Sequence, residues 1–247
     1  MSNSAPAERH ASNLPPLYSR LEPLTAERHR KLRLRDAGFG FAAKHSAVPL
    51  AAEEFAAASR HYAIVFGTEA PHTPVALTGL RSGTNTYLEP NGQWRPSTYL
   101  PSYLRRFPFF LARVSEAKPE LTLCLDPTAP HISETEGEPL FDDAGKPTPQ
   151  AVRAFEFSRM AEAAFVRTGE MMAGLLGLGL LGPVTLELPQ PQGKPLRIDG
   201  FHGIQRKALA ALTGEQLAQL RDKGWLDAIY AHLHSLDAIR EMAQRNP

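Results

Sequence analysis

Along the first half of the chain, apolar positions come in short runs separated by turn residues. Between Phe39 and Asp126 the segments FAAKHSAVPL, AIVFG, PVALTGL, NTYL, FFLARV and LTLCLD carry the β-branched and aromatic residues of strands. Asn91-Gly92 adds a hairpin signal, because both residue types tolerate the positive φ of a tight primed turn. This half predicts a largely antiparallel sheet, with one helix over Ala51 to Tyr62.

Further on the period changes. Ala154, Phe157, Ala161, Ala164, Phe165, Thr168, Met172, Leu175 and Leu176 recur at the spacing of one helical face, while Glu156, Arg159, Glu162 and Glu170 point elsewhere. A long helix packed on the sheet follows from that pattern. After two strand-like runs, TLELP and LRIDGFHGI, the chain ends in helices. Thr213 reads as an N-cap, Gln216 completes a capping box, and Leu212 is placed to staple to Leu217. Gly224 supplies a left-handed stop, and Leu226, Ile229, Tyr230, Leu233 and Leu236 line one face of the last helix. No internal repeat is present. The expected class is α+β, a largely antiparallel sheet packed by a long central helix and by C-terminal helices.

Two stretches fall outside the pattern. Residues 1–16, rich in Ser, Ala, Asn and Pro, have almost nothing to bury and read as a mobile tail, leaving 17–247 as one domain. Pro127 to Pro149 is acidic and carries prolines at 127, 130, 139, 147 and 149, so it is expected to be a long loop without regular structure.

With 43% hydrophobic and 21% charged residues in 247, the chain can bury a core without help from a disulfide or a metal. Twenty-seven Lys plus Arg against 26 Asp plus Glu leave no overall field to draw it onto nucleic acid or an anionic bilayer. The single cysteine, Cys124, cannot form an internal disulfide and fits a small apolar position in a core strand. No apolar signal-peptide core stands at the N-terminus, so a cytoplasmic location is expected, with export that reads no N-terminal signal left open. The most apolar stretch, Met171 to Val184, is 14 residues with four glycines and a proline. A bilayer needs roughly 20 apolar residues, so no membrane span and no permease are expected.

Few motifs carry chemistry. GLGLLG, Gly177 to Gly182, matches the dinucleotide-binding pattern, and Asp199 stands about where a ribose-binding acid belongs. That fingerprint needs a strand leading in and a helix leaving, whereas here a helix leads in and Pro183 and a strand follow, so a glycine-rich helix end is the expectation. Walker, zincin, nucleophile-elbow and paired-cysteine patterns are missing, and no cofactor is expected. His232 and His234, two positions apart on a helix, project to nearly opposite sides and cannot share an ion there. The cations of RHRKLRLR, Arg28 to Arg35, read as the solvated side of a short strand whose Leu32 and Leu34 face inward.

Two segments remain as candidates. Arg105, Arg106, Phe107 and Phe109 place guanidinium groups beside large rings, near Tyr99 and Tyr103. They read either as an anchor for an anionic ligand or a protein partner, or as a helix end whose rings fill the core. In SETEGEPLFDDAGK, Ser133 to Lys146, an extended backbone puts Glu134, Glu136 and Glu138 on one side at spacings of ~7 Å, where their repulsion calls for a cation or for arginines. Calcium or magnesium would serve, but EF-hand spacing is lacking. The other reading is a solvated acidic loop locked by ion pairs to Arg105 or Arg106.

RRFPF at Arg105 to Phe109 and ETEGEPLFD at Glu134 to Asp142 resemble hallmark stretches of the bacterial SapC family. LRLRDAGFGFAAKHSAVPL, YAIVFG with PVALTGL, and DGFHGIQRKALAAL through GWLDAIYAHLHSL are similar to the same family's layout. The resemblance covers Tyr18 to Met242 and implies an association with a bacterial surface layer and serum resistance, with no catalytic residue to carry over. Two expectations stand side by side. The first is an accessory protein that binds another protein through Arg105, Arg106, Phe107, Phe109, Glu134, Glu136, Glu138, Phe141 and Asp142. The second is an enzyme or small-molecule binder built on loop 131–143, with His131, Glu134 and Glu136 as metal-ligand candidates.

Overall fold

The structure, a computed structural model, describes residues 14–113, 121–188 and 196–244. Most of the tail read over residues 1–16 lies outside them, as do Val114 and Pro189 at the ends of two predicted strands. The described strands are β1 (Glu22–Pro23), β2 (Arg33–Leu34), β3 (Ala47–Pro49), β4 (Ile64–Phe66), β5 (Pro74–Leu77), β6 (Phe109–Ala112), β7 (Thr122–Leu125), β8 (Ile132–Ser133), β9 (Glu138–Pro139), β10 (Leu181–Leu188) and β11 (Leu196–Ile204). The helices are α1 (Ala26–His29), α2 (Phe55–Ala58), α3 (Ser102–Arg105), α4 (Pro149–Gly177), α5 (Arg206–Ala210), α6 (Gly214–Asp222), α7 (Trp225–Ser235) and α8 (Ala238–Gln244). The fold is α+β, and its strand pairings are antiparallel. No helix among the described residues is long and apolar enough to cross a membrane.

Two compact units emerge, one from the described residues of Met1–Phe41 with Arg106–Met160, the other from those of Ala42–Arg105 with Ala161–Pro247. The first unit holds two three-stranded sheets, in the orders β1-β7-β6 and β8-β2-β9. Phe109, Leu111, Leu123, Leu125, Leu140, Phe141 and Ala151 form its core. Asp126, buried at the end of β7, accepts hydrogen bonds from Ser19 N, Arg20 N, Thr128 N and Thr128 Oγ1, so the chain entering β1 is tied down by a fully paired carboxylate.

The second unit carries one five-stranded sheet, β10-β11-β4-β5-β3. Its large buried side chains include Leu50, Phe55, Tyr62, Ile64, Phe66 and Tyr87, with Met171, Met172 and Leu175 from α4. Helix α7 is fastened by His232, which is fully buried and stacked on Phe66 with ring centroids 4.5 Å apart. Its Nε2 accepts from Ile204 N at 3.1 Å, which leaves Nδ1 to donate to Ile64 O at 2.9 Å. Ser235 Oγ accepts from Ile64 N and donates to His232 O. His234 is exposed, so the two histidines diverge as their spacing dictates.

Helix α4 begins where Thr148 Oγ1 accepts from Ala151 N at 3.4 Å and Pro149 takes the first helical position, which lacks a donor to satisfy. It ends in the GLGLLG run: Leu180 N bonds Leu175 O, Gly179 N bonds Leu176 O, and Gly179 takes φ +67° before β10 leaves. The run is a helix stop. Helix α6 shows both halves of the Thr213–Gln216 capping box, and Gly224 takes φ +69° ahead of α7.

Several elements differ from expectation. Residues 51–62 contain a 3-10 turn, Ala52–Glu54, and then the four-residue α2 in place of one longer helix. NTYL contributes only an isolated bridge between Leu88 and Trp94, and Gly92 alone takes positive φ in the turn beside Asn91. The last helix is divided, α7 ending at Ser235 and α8 starting at Ala238. Pro127 to Pro149, expected as loop, contains β8 and β9: two-residue strands held by a partner distant in sequence leave no local periodicity to read.

Candidate functional site

Strand β2 organises the acidic segment. Leu32 and Leu34 pack on the core of the first unit. That fixes the height of the strand, and the segment folds around it: Arg33 faces Ser133 on one side and Pro139 on the other, and Leu34 faces Ile132 and Glu138. Arg35 N to His131 O, at 2.9 Å, and Leu140 N to Leu32 O, at 3.1 Å, extend the two ladders. At the bend, Ser133 Oγ accepts from Thr135 N and Glu136 N.

Gly137 closes the bend at φ +94°, and a Cβ there would lie 2.2 Å from Leu34 O. Only glycine fits against the strand at that point. Gly137→Ala is expected to lower unfolding free energy by roughly 1–3 kcal/mol and to raise amide exchange at Glu136 and Glu138 before it does so in the core. Hydrogen exchange followed by mass spectrometry checks this, and unchanged protection across 133–140 would refute it.

Four arginines hold the loop. Arg35 NH1 meets Glu136 Oε2 at 2.7 Å while its Nε donates to Pro130 O at 2.9 Å. Arg33 NH1 donates to Gly137 O at 3.1 Å, Arg30 NH2 to Asp143 O at 2.7 Å, and Arg153 NH2 meets Glu138 Oε2 at 3.4 Å. The counter-cations thus come from the RHRKLRLR strand and from α4, where sequence had offered Arg105 or Arg106. Each exposed ion pair contributes up to about 1 kcal/mol, so the backbone ladders do most of the holding. Asp142 Oδ1 accepts from Ala144 N and Lys146 N, shaping the next turn, and Phe141 is buried.

Between the strand and the loop lies a cleft of about 670 Å³ lined by Arg30, Lys31, Arg33, Glu134, Asp142 and Asp143, among others. Lys31, Glu134 and the Asp143 carboxylate make no hydrogen bond or ion pair among the described residues. The cleft therefore presents unpaired charge of both signs on a fixed backbone.

No residue of the RRFPF segment lines that cleft. Phe107 stacks on Phe41 at 3.9 Å between ring centroids, and Phe109 belongs to the core. Arg106 is 3% exposed, its guanidinium lying 4.1 Å above the Phe110 ring. Both phenylalanines are core residues, which corrects the reading of them as surface anchors: β6 starts at Phe109 and buries alternate positions. Arg105, which belongs to the other unit, is exposed. Glu134, Glu136, Glu138 and Asp142 are exposed as expected.

His131 is 9% exposed and meets the rings of Phe41 and Phe107 edge-on. Burial pushes its pKa below the ordinary histidine value, against the opposing pull of the Gly38 backbone. Glu136 is turned to Arg35, Glu134 lines the 670 Å³ cleft, and His131 does not. No group of three or more His, Cys, Asp or Glu side chains among the described residues is placed to hold a metal, so the three candidate ligands are not brought together.

One polar cluster was missed from the sequence. Glu54, buried in the second unit, accepts from Ser102 N at 2.7 Å, Ser102 Oγ at 2.8 Å, Tyr99 OH at 2.9 Å and Ala51 N at 3.0 Å. Burial first, and then the Glu54 charge, push the Tyr99 phenol up to about 12. A signal was present: Ala51, Glu54, Phe55 and Ala58 share an apolar i, i+3, i+4, i+7 face on which a carboxylate is out of place. With every oxygen paired, the cluster is built to hold structure.

The family model described as SapC matches residues 24–242, nearly the whole chain. No curated protein and no solved structure matches.

Proposed function

The chain belongs to the SapC family, and on that premise we propose that it is an accessory protein that docks another protein on the charged face made by loop 133–143 and the cations of 30–35. The carrying observation is the cleft in which the Lys31, Glu134 and Asp143 side chains make no hydrogen bond or ion pair among the described residues, on a backbone already fixed by β8-β2-β9. A preordered face loses little conformational freedom on binding, and charges of both signs select a complementary pattern over a uniformly charged one. A dedicated loop ordered by four arginines supports a recognition role.

Lys31→Glu with Glu134→Lys reverses the pattern without removing any internal bond. Affinity capture from the source cells is expected to recover a partner with the native chain and to lose it, by about tenfold or more, with the double variant. Equal recovery by both would refute the reading. The reading extends to a partner at the bacterial surface layer, and cell fractionation tests that extension. Recovery of the protein solely in the soluble fraction counts against it.

A further inference from the structure

Helix α4 keeps one long face that the described residues leave uncovered. Val152, Phe155, Arg159 and Val166 are exposed along it, with Glu162 half-buried among them. Their spacing alternates three and four residues, the repeat that gathers side chains into one seam toward a partner helix. Exposed apolar residues aligned in this way mark a surface for contact, whereas scattered ones do not.

The charges of that face point to the partner. In chain order Glu156, Arg159, Glu162 and Arg167 run negative, positive, negative, positive, and Arg153 and Glu170 carry the alternation one step further each way. Taken in reverse, the series has opposite signs at each place, so it complements itself when a second α4 lies antiparallel. Setting Phe155 against Val166 of the copy brings Arg159 to Glu162 and Glu156 beside Arg167, and keeps most of the 29-residue helix in overlap. Each contact then occurs twice, residue i on j and j on i, as a two-fold axis requires. A parallel copy in register would place like charges together at every one of these positions. An antiparallel copy moved by one seven-residue repeat would press Glu162 onto Val166. The bonds these arginines make within the chain, Arg159 to Glu156 at 2.8 Å and Arg167 to Glu53 at 2.6 Å, are exposed pairs that a copy can share or replace at little cost.

We propose that the chain pairs with a second copy of itself through this face of α4, in an antiparallel dimer with Phe155 on Val166 and Arg159 on Glu162. None of these four residues lines the 670 Å³ cleft, so the inference goes beyond the docking reading and either can fail without the other.

Sedimentation velocity of the full chain from about 1 to 100 µM tests it. A shift from the mass of one chain toward twice that mass is expected, with a micromolar midpoint. Arg159→Glu opposes two carboxylates at both symmetry-related contacts, and Glu162→Arg opposes two guanidinium groups. Each variant alone is expected to weaken association by about tenfold or more. Mixed in equal amounts, the two variants regain opposite charges at both contacts and are expected to pair within about threefold of the native midpoint. That rescue cannot come from a folding defect in either variant. The proposal is overturned if the native chain stays single at about 100 µM. It is overturned equally if either variant associates as the native chain does, or if the mixture pairs no better than its components.

Discussion

Glu54→Ala is expected to lower the unfolding free energy by about 3–5 kcal/mol, seen in urea as a fall in midpoint with unchanged slope. The carboxylate binds four donors, two of them backbone amides, that lose their partner in a largely buried site when it goes. Each orphaned donor costs about 1–3 kcal/mol, tempered by local relaxation and by water entering the space left behind. Glu54→Gln should fall between: one oxygen survives, while the new amide points a donor at donors. The Tyr99 phenol, raised to about 12 by burial and by Glu54, is expected to titrate lower in the glutamine variant, measurable as phenolate absorbance. A change under about 0.5 kcal/mol in the alanine variant would show that the four bonds are not made in solution.

His232 gives the second large effect, and it depends on pH. Burial, reinforced by Arg206 and only partly opposed by the Ile64 carbonyl, pushes the imidazole down from 6.5 to about 4. Between those values the unfolded chain binds a proton that the folded chain refuses. Stability from this group is therefore complete above pH 6.5 and is lost progressively as pH falls toward 4, to a total of roughly 3 kcal/mol. His232→Gln removes the titration while keeping a polar group in reach of Ile204 N. The native chain is expected to lose about 3 kcal/mol more than the variant when unfolding is measured at pH 7 and again at pH 4. Parallel pH profiles for the two proteins would refute the assignment.

How far the sequence carried these features depended on where each one's cause lies. Helix α4 was legible because its periodicity is local, and so was the stop at Gly179, since a helix leading into GLGLLG already ruled out a phosphate turn. The inward Leu32 and Leu34 followed from strand alternation. Strands β8 and β9 were not legible: two residues cannot show a period, and Pro139 argues against strand to any local rule. For the acidic loop, the need for cations could be read from the crowding of Glu134, Glu136 and Glu138. Their identity could not, because β pairing selects Arg33 and Arg35, some 100 residues earlier, as neighbours. Phe107 and Phe109 stayed open between anchor and core because an aromatic beside arginine looks alike on a surface and in a core, and burial alone separates the two.

The make-up of the first unit bears on how the chain assembles during synthesis. Its two pieces are interrupted by the 64 residues of Ala42–Arg105, which belong to the other unit. A ribosome delivers β2 long before the segment that flanks it, so that strand emerges with both edges unsatisfied. At about 5–20 residues per second, the wait until α4 begins to emerge is on the order of ten seconds. Over that interval Leu32 and Leu34 lack the core they later pack on, which marks the β2 segment as a stretch expected to engage a chaperone.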